Sequence, residues 1–252
     1  MSELSVYIVT YNEEHRLERT LKAASQVADE IVVVDSGSED KTVEIAKKFG
    51  ATVYYNEWKT YCEQKHFAEN KCSNDFVLLI DADEVLSDEL IAEINQEKQN
   101  FSANAYKIKI VDMLPHDKKP SRFAQTFNPV RLYNRKYASM PKDKMNKDRV
   151  DVAEGEKIAQ LNGKILHYSF VSLEKALDKF NRHSTELQKT LAKEGKSFST
   201  LRLVTEYPRQ FYRYYFGKGY VFRGTDGFIC ASVMAYFRYL KVAKWFESRP
   251  MK

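Results

Sequence analysis

Apolar runs and polar breaks alternate regularly through the first hundred residues. Leu4–Thr10, Glu30–Asp35, Thr52–Tyr55 and Phe76–Asp81 are short runs rich in β-branched and aromatic residues, and they predict buried strands. Between them, residues 13–24 space Leu17, Leu21 and Ala24 at helical intervals. Residues 41–49, closed by Gly50, and residues 60–71 predict two further helices, and Ser87 caps a fourth that runs to about Gln99. Repeated strand–helix–strand units imply a mostly parallel sheet covered on both faces. Ligands in such sheets bind outside the carboxyl ends of the strands. Thr10, Asp35 and Asp81 each end one of the predicted strands, so one sheet edge collects a hydroxyl and two carboxylates.

The pattern is less regular from 105 to 168. Strands are expected at 105–111, 130–133 and 164–168, separated by polar loops that hold Pro115, Pro120, Pro129 and Pro141. Long polar loops on a rigid scaffold often carry binding residues. From Leu173 onward the spacing of Leu173, Ala176, Leu177, Phe180, Leu187 and Leu191 is helical. The expected division is therefore a strand-rich domain over 1–170 and a helical, basic and aromatic region over 171–252.

Charge changes this picture at the C-terminal end. The formal net charge is only +5, yet residues 207–252 carry nine Lys and Arg against Asp226 and Glu247. Tyrosines, phenylalanines and a tryptophan interleave with these cations, as in Arg209-Gln-Phe-Tyr-Arg-Tyr-Tyr-Phe216. Such a mixture suits an anionic membrane surface, because aromatic rings favour the interface and basic side chains favour anionic lipid. The apolar stretch 227–237 falls well short of the roughly 18 to 20 residues a spanning helix needs, and a helix lying in the interface plane is expected instead. The alternative is a C-terminal helix whose aromatics pack on the core. Cys62, Cys72 and Cys230 have no metal-ligand spacing and predict free thiols in a reducing compartment. No signal-peptide pattern precedes the first strand. The expected location is cytoplasmic, attached peripherally to the inner face of the cell membrane.

The sharpest chemical signal is Leu79-Ile-Asp-Ala-Asp-Glu84, an apolar strand ending in two carboxylates one small residue apart. On extended backbone, positions i and i+2 point the same way. Asp81 and Asp83 can therefore converge on one hard divalent cation, which takes oxygen ligands and leaves positions for diphosphate oxygens. The competing reading is a pair of solvated turn acids before a helix. Asp35, in Val34-Asp-Ser-Gly-Ser38, has the chemistry to accept hydrogen bonds from a base N–H or a ribose hydroxyl; the competing reading there is an ordinary strand-to-helix turn.

Val9-Thr-Tyr-Asn-Glu13, Ile31-Val-Val-Val-Asp-Ser-Gly-Ser38, Gln64-Lys65 and Leu79-Ile-Asp-Ala-Asp-Glu84 together resemble the inverting glycosyltransferases of family 2. The similarity is greatest to the bacterial branch that adds glucose-like residues to the lipopolysaccharide inner core, and it covers roughly residues 5–168. The resemblance implies a GT-A fold, an α/β Rossmann-like mixed sheet, mainly parallel, flanked by helices and followed by a helical appendage. It also implies a uridine-diphosphate (UDP) sugar donor, Mg2+ or Mn2+, and inversion at the anomeric carbon. By that analogy Thr10, Asn12, Glu13 and Asp35 face the nucleotide, Asp81 helps bind the donor, Asp83 meets the metal, and Lys65 approaches the donor. The branch carries a His-Asp or His-Glu pair well after the metal motif. Asp148 stands at the acid of that pair, with Lys147 in place of the histidine, which makes Asp148 the expected base and Asp151 and Glu154 its competitors. Similar enzymes also have Leu-His-Tyr where this chain has Leu166-His167-Tyr168. His167 then either orients the diphosphate or joins the metal shell, the alternative being a core histidine. Arg131 and Arg135 are candidates for holding pyrophosphate or an anionic acceptor.

The resulting expectation is transfer of a hexose, glucose in the specific reading, to a lipopolysaccharide core or related lipid-linked saccharide. A polyprenyl-phosphate or capsule glycosyltransferase shares the same motifs. A reading of another class is a non-catalytic nucleotide- or nucleic-acid-binding module, whose basic aromatic tail would stack bases; against it, the chain has neither a Walker-type lysine loop nor a G-x-G-x-x-G fingerprint, and no nucleic-acid partner is expected.

Overall fold

The alternating apolar runs of the first hundred residues build the centre of a twisted sheet. A computed structural model describes residues 2–248 except 115, 116, 118, 123, 143–148, 169, 171 and 194–196. The chain divides into two compact units: residues 1–111 with 126–167, and residues 112–125 with 168–252.

In the first unit the strands are β1 (Leu4–Thr10), β2 (Glu30–Asp35), β3 (Thr52–Tyr55), β4 (Phe76–Asp81), β5 (Glu84–Leu86), β6 (Ala105–Asp112), β7 (Thr126–Phe127), β8 (Val130–Asn134), β9 (Ala138–Ser139), β10 (Asp151–Val152) and β11 (Ile158–His167). The helices are α1 (Leu17–Ala24), α2 (Thr42–Lys48), α3 (Tyr61–Glu69) and α4 (Asp88–Glu97). Among the described residues, one sheet runs β3-β2-β1-β4-β8-β6-β11-β5, with β7 added beside β6. The first four strands are parallel, and β8, β6 and β5 join by antiparallel pairing. This is a mixed sheet with a parallel core, as expected.

The two-residue period of the strands sorts their side chains onto two faces. Val6, Ile8, Val33, Leu78 and Ile80 pack with Leu17 and Leu21 of α1 and Leu90 and Ile94 of α4. Tyr7, Val32, Val34, Val77 and Leu79 pack on the opposite face with Ala68 of α3 and Tyr133 of β8. Each fully buried aliphatic side chain contributes roughly 1.5–3 kcal/mol relative to exposure. Close approach is enforced where β11 passes α4: a Cβ on Gly163 would lie 2.3 Å from the Leu90 Cα, so only glycine fits.

Three borders differ from the sequence reading. The first helix starts at Leu17 rather than near residue 13, because the amides of Asn12, Glu13 and Glu14 donate to Ser38 Oγ, Thr42 Oγ1 and Asp40 across the loop. Residues 84–86 form a strand, paired with the end of β11 at Glu84–His167 and Val85–Leu166. β11 itself starts at Ile158, well before the apolar stretch that signals it.

The second unit contains α5 (Leu173–Lys193), α6 (Thr200–Tyr212), a π-helical turn (Arg213–Gly217), a 3-10 turn (Tyr220–Arg223) and α7 (Gly224–Glu247). α7 packs against both α5 and α6 and buries Cys230, Ala231, Val233, Ala235, Phe237, Val242 and Trp245. Within the stretch 227–237, expected in the plane of an interface, Gly227, Cys230, Ala231, Val233, Ala235 and Phe237 are buried while Phe228, Ile229 and Tyr236 stay exposed. Leu114, Tyr214 and Tyr220 complete one core cluster, Phe198 another, and Arg223 pairs with Asp117. No helix among the described residues is long and apolar enough to cross a membrane.

Candidate active site

Register brings the strand ends level. Thr10 pairs with Asp35 across β1 and β2, and Val9 pairs with Asp81 across β1 and β4. The three polar residues expected at one sheet edge are therefore neighbours in the sheet. Beyond Asp81 the chain turns at Ala82 and Asp83, and the Ala82 carbonyl accepts a hydrogen bond from Thr20 Oγ1 of α1 at 2.9 Å. This pins the turn to the core before β5 begins.

Asp81 lies between two cations. Lys65 Nζ, on α3, is 2.9 Å from Asp81 Oδ1, and Arg131 Nη2, on β8, is 3.4 Å from Oδ2. The Lys65 side chain is 1% exposed. Arg131 also donates to Glu84 Oε1 at 2.9 Å, and the Asp81 amide donates to Glu84 Oε2 at 2.8 Å. Asp81 itself stays 29% exposed. Burial pushes its carboxyl up, but the charges of Lys65 and Arg131 outweigh that and hold it well below the usual carboxylate range. Glu84 has the opposite balance: burial raises it, Arg131 opposes, and the nearby charge of Asp81 adds, leaving it at about 7.

Asp83 has a different set of partners. Its Oδ2 is 3.1 Å from Arg16 Nη1 and 3.4 Å from His167 Nε2 at the end of β11. Arg16 Nε also donates to Glu13 Oε2 at 2.6 Å, so Glu13, Arg16 and Asp83 form a relay along the edge. Burial raises the Asp83 carboxyl, and His167 followed by Arg16 more than compensates, keeping it below its ordinary value.

The remaining sequence candidates separate by what they touch. Asp35 is 4% exposed and accepts hydrogen bonds from Gly37 N and Ser38 N at 2.8 Å and from Ser38 Oγ at 2.5 Å. Its carboxylate organises the turn after β2. Asn12 sits in the left-handed region at φ 55°, which asparagine tolerates, and its Oδ1 accepts from Glu39 N at 2.9 Å. Thr10 Oγ1 is buried with no hydrogen-bond partner among the described residues. His66 Nδ1 is 2.7 Å from the Met140 carbonyl oxygen, a structural contact. Arg135 donates to the carbonyls of Asn74 and Glu69, away from the carboxylate pair. Asp148 lies outside the described residues. Asp151 is exposed on β10, and Glu154 is exposed two residues beyond that strand.

Arg16 and Glu84 carry no role in the sequence reading, although both stand three residues after an acid, as Glu13–Arg16 and Asp81–Glu84. That spacing is common in turns and does not single them out.

Asp83 and His167 offer an oxygen and a nitrogen donor at one partly exposed position, a set compatible with Mg2+ or Mn2+ when diphosphate oxygens and water complete the shell. Among the described residues no cluster of three His, Cys, Asp or Glu side chains is placed to hold a metal by itself.

Comparison with known proteins identifies the family. The family model described as Glycosyl transferase family 2 matches residues 5–150. The uncharacterized glycosyltransferase RT0209 of Rickettsia typhi is 41% identical over 97% of this chain and 87% of its own length. The lipopolysaccharide core biosynthesis glycosyltransferase LpsC of Rhizobium meliloti is 27% identical over 99% of this chain and 94% of its own. Among solved structures, S. aureus TarS 1-349 in complex with UDP superposes with a TM-score of 0.48 at 15% identity, covering 96% of this chain and 89% of that one. With a family model spanning more than half of the chain and a relative above 40% identity along nearly all of it, the protein belongs to glycosyl transferase family 2.

Proposed function

We propose that the protein transfers a hexose, glucose in the specific reading, from a UDP-sugar to a lipopolysaccharide core sugar or a related lipid-linked saccharide, with inversion at the anomeric carbon. The observation that carries this reading is the division of labour between the two carboxylates of Asp81-Ala-Asp83. One is held ionised between Lys65 and Arg131, and the other sits beside His167 at the same strand end. The family membership supports sugar transfer, and the name of the Rhizobium relative supports a lipopolysaccharide core acceptor.

In this reading Asp81 accepts a hydrogen bond from the donor's ribose, and its two cations fix its orientation before the donor arrives. Thr10, Asn12, Glu13 and Asp35 frame the nucleotide, chiefly by shaping the backbone of the two loops after β1 and β2. Asp83 and His167 would hold Mg2+ or Mn2+, which when bound offsets the negative charge of the departing diphosphate. Arg16 draws on the same Asp83 oxygen and sets its position through Glu13. Asp148 acts as base: it takes the proton of the acceptor hydroxyl while that oxygen forms the new bond to the anomeric carbon. The bond to the diphosphate oxygen breaks on the opposite side. The protein works in the cytoplasm against the inner face of the membrane, where its acceptor is displayed.

The test is a panel of nucleotide-sugars with and without Mg2+ or Mn2+, read as thermal stabilisation, because a ligand of the folded state raises apparent stability by mass action. A UDP-hexose should raise the melting temperature, and chelator should remove most of the rise. A panel in which no nucleotide-sugar stabilises the protein with either metal refutes the donor assignment. Transfer to a polyprenyl phosphate but not to a core saccharide refutes the acceptor assignment alone.

A further inference from the structure

Helix α6 is built the wrong way round for a helix in water. Its outward face is apolar, while its inward side buries the polar Glu206 and Gln210 along with the partly buried Leu203 and Phe211. Leu201, Val204, Pro208 and Tyr212 follow the spacing i, i+3, i+7, i+11 and lie within about 80° of arc at 100° per residue. Leu201 and Val204 are each 72% exposed and Tyr212 is 67% exposed. On the opposite side, Glu206 is 1% exposed and Gln210 is 4% exposed. A surface helix normally turns its apolar stripe to the core. Here the stripe is turned to the outside, so some other medium must receive it.

Charge around the stripe says what that medium is. Residues 197–223 hold Arg202, Arg209, Arg213 and Lys218, besides the buried Arg223 that pairs with Asp117, with Glu206 as the single acid in this stretch. Glu206 is turned inward, where it accepts hydrogen bonds from Arg202, Arg209 and Gln210. Arg202 and Arg209 occupy the sector next to the stripe, and Arg213 follows one turn after Arg209. Past the helix end, Phe216 is exposed and stacks near Tyr212 at 5.1 Å between ring centres. An apolar strip bordered by cations and aromatic rings matches the boundary of an anionic bilayer, with acyl chains for Leu and Val, headgroup depth for Tyr and Phe, and phosphates for Arg. A second copy of this chain would oppose the same basic face to itself and meet like charges. Nucleic acid would use the cations but not Leu201 and Val204, which cannot stack on bases as aromatic rings do.

We infer that the outward face of α6, centred on Leu201, Val204 and Tyr212 with Arg213 and Lys218 at its border, is the surface by which the protein binds an anionic membrane. This rests on the proposed function and deepens it by assigning membrane attachment to a specific helix face; the apolar stretch of α7 instead turns Cys230, Ala231, Val233, Ala235 and Phe237 inward and leaves Phe228, Ile229 and Tyr236 exposed.

The experiment is co-sedimentation of the full chain with phosphatidylcholine vesicles, with and without phosphatidylglycerol, at low and physiological salt. Binding should require phosphatidylglycerol and weaken as salt rises. Leu201→Ser combined with Val204→Ser should weaken partition by about tenfold or more, and Arg213→Gln with Lys218→Gln should weaken it by a similar factor at low salt. These side chains point outward, so circular dichroism and stabilisation by a UDP-sugar should be unchanged. That readout separates the two proposals: loss of donor stabilisation in the parent protein sinks the donor reading, not this one. The inference is overturned if the parent protein ignores phosphatidylglycerol vesicles, or if the Leu201/Val204 variant binds them as well as the parent. It is equally overturned if analytical ultracentrifugation shows a dimer that this variant dissociates, which would make a second copy the occupant.

Discussion

Lys65→Met tests whether the buried lysine exists to hold Asp81. Methionine fills much of the same volume without charge. Across 2.9 Å the attraction between Lys65 and Asp81 amounts to roughly 6 kcal/mol at an effective dielectric of about 20. Several kcal/mol of that are offset by keeping a lysine dehydrated at 1% exposure. Asp81 keeps Arg131 at 3.4 Å and remains 29% exposed, so the loss falls below the 3–5 kcal/mol typical of a fully buried broken pair. A net destabilisation of about 2 kcal/mol is expected at pH 7. The pH dependence follows from the sign of the shift. The Asp81 carboxyl is depressed in the folded protein, so its contribution is complete above the unfolded value of about 3.9 and disappears as pH falls through the folded value. The gap between parent and variant should therefore narrow below about pH 4. The assay is urea denaturation followed by Trp58 in the first unit, for the parent, Lys65→Met, Asp81→Asn and the double variant. The coupling between the two sites should approach 2 kcal/mol. Coupling below about 0.5 kcal/mol, or a gap that persists undiminished at pH 3, would refute the reasoning.

Three further outcomes follow from the same geometry. Asp83→Asn should lower transfer by about 10²-fold or more and remove the metal-dependent part of donor stabilisation, with far-UV circular dichroism unchanged, because the residue sits in a turn pinned independently by Thr20. Asp148→Asn should leave donor stabilisation intact while turnover falls about 10²-fold, the range for a lost general base, and a larger loss from Asp151→Asn or Glu154→Gln would move the assignment to that residue. Gly163→Ala should destabilise the protein by about 3 kcal/mol, measured as a lower melting temperature, since its Cβ meets the backbone of Leu90; Gly217→Ala, with nothing within 4 Å, is the neutral control.

Strand and helix order through residue 99, β5 apart, was legible because local pattern dominates there. β1, β2, β3 and β4 are apolar, β-branched runs closed by turn residues, and in the structure their borders are those the runs predict. The same runs end on Thr10, Asp35 and Asp81, so the collection of polar groups at one sheet edge follows from strand length and parallel order alone. β5 was not legible. A three-residue strand carries almost no periodicity, and Glu84–Leu86 is extended because β11 pairs with it from some eighty residues away.

Partner choice was a matter for tertiary structure. The motif Asp81-Ala-Asp-Glu84 shows three acids in four residues and nothing of their different fates. Asp81 meets Lys65 and Arg131, Asp83 meets Arg16 and His167, and Glu84 is raised to about 7 by burial beside Asp81. Those partners come from α3, β8, β11 and the loop before α1, and only chain crossing brings them together. The C-terminal region shows the same limit. Composition alone announced a basic, aromatic surface, but hydropathy pointed to residues 227–237, one side of which packs on α5 and α6. The apolar stripe of α6 faces outward, while Glu206 and Gln210 turn inward. An amphipathic helix has the same sequence pattern whichever way its stripe is turned, and the direction is decided by what packs against it.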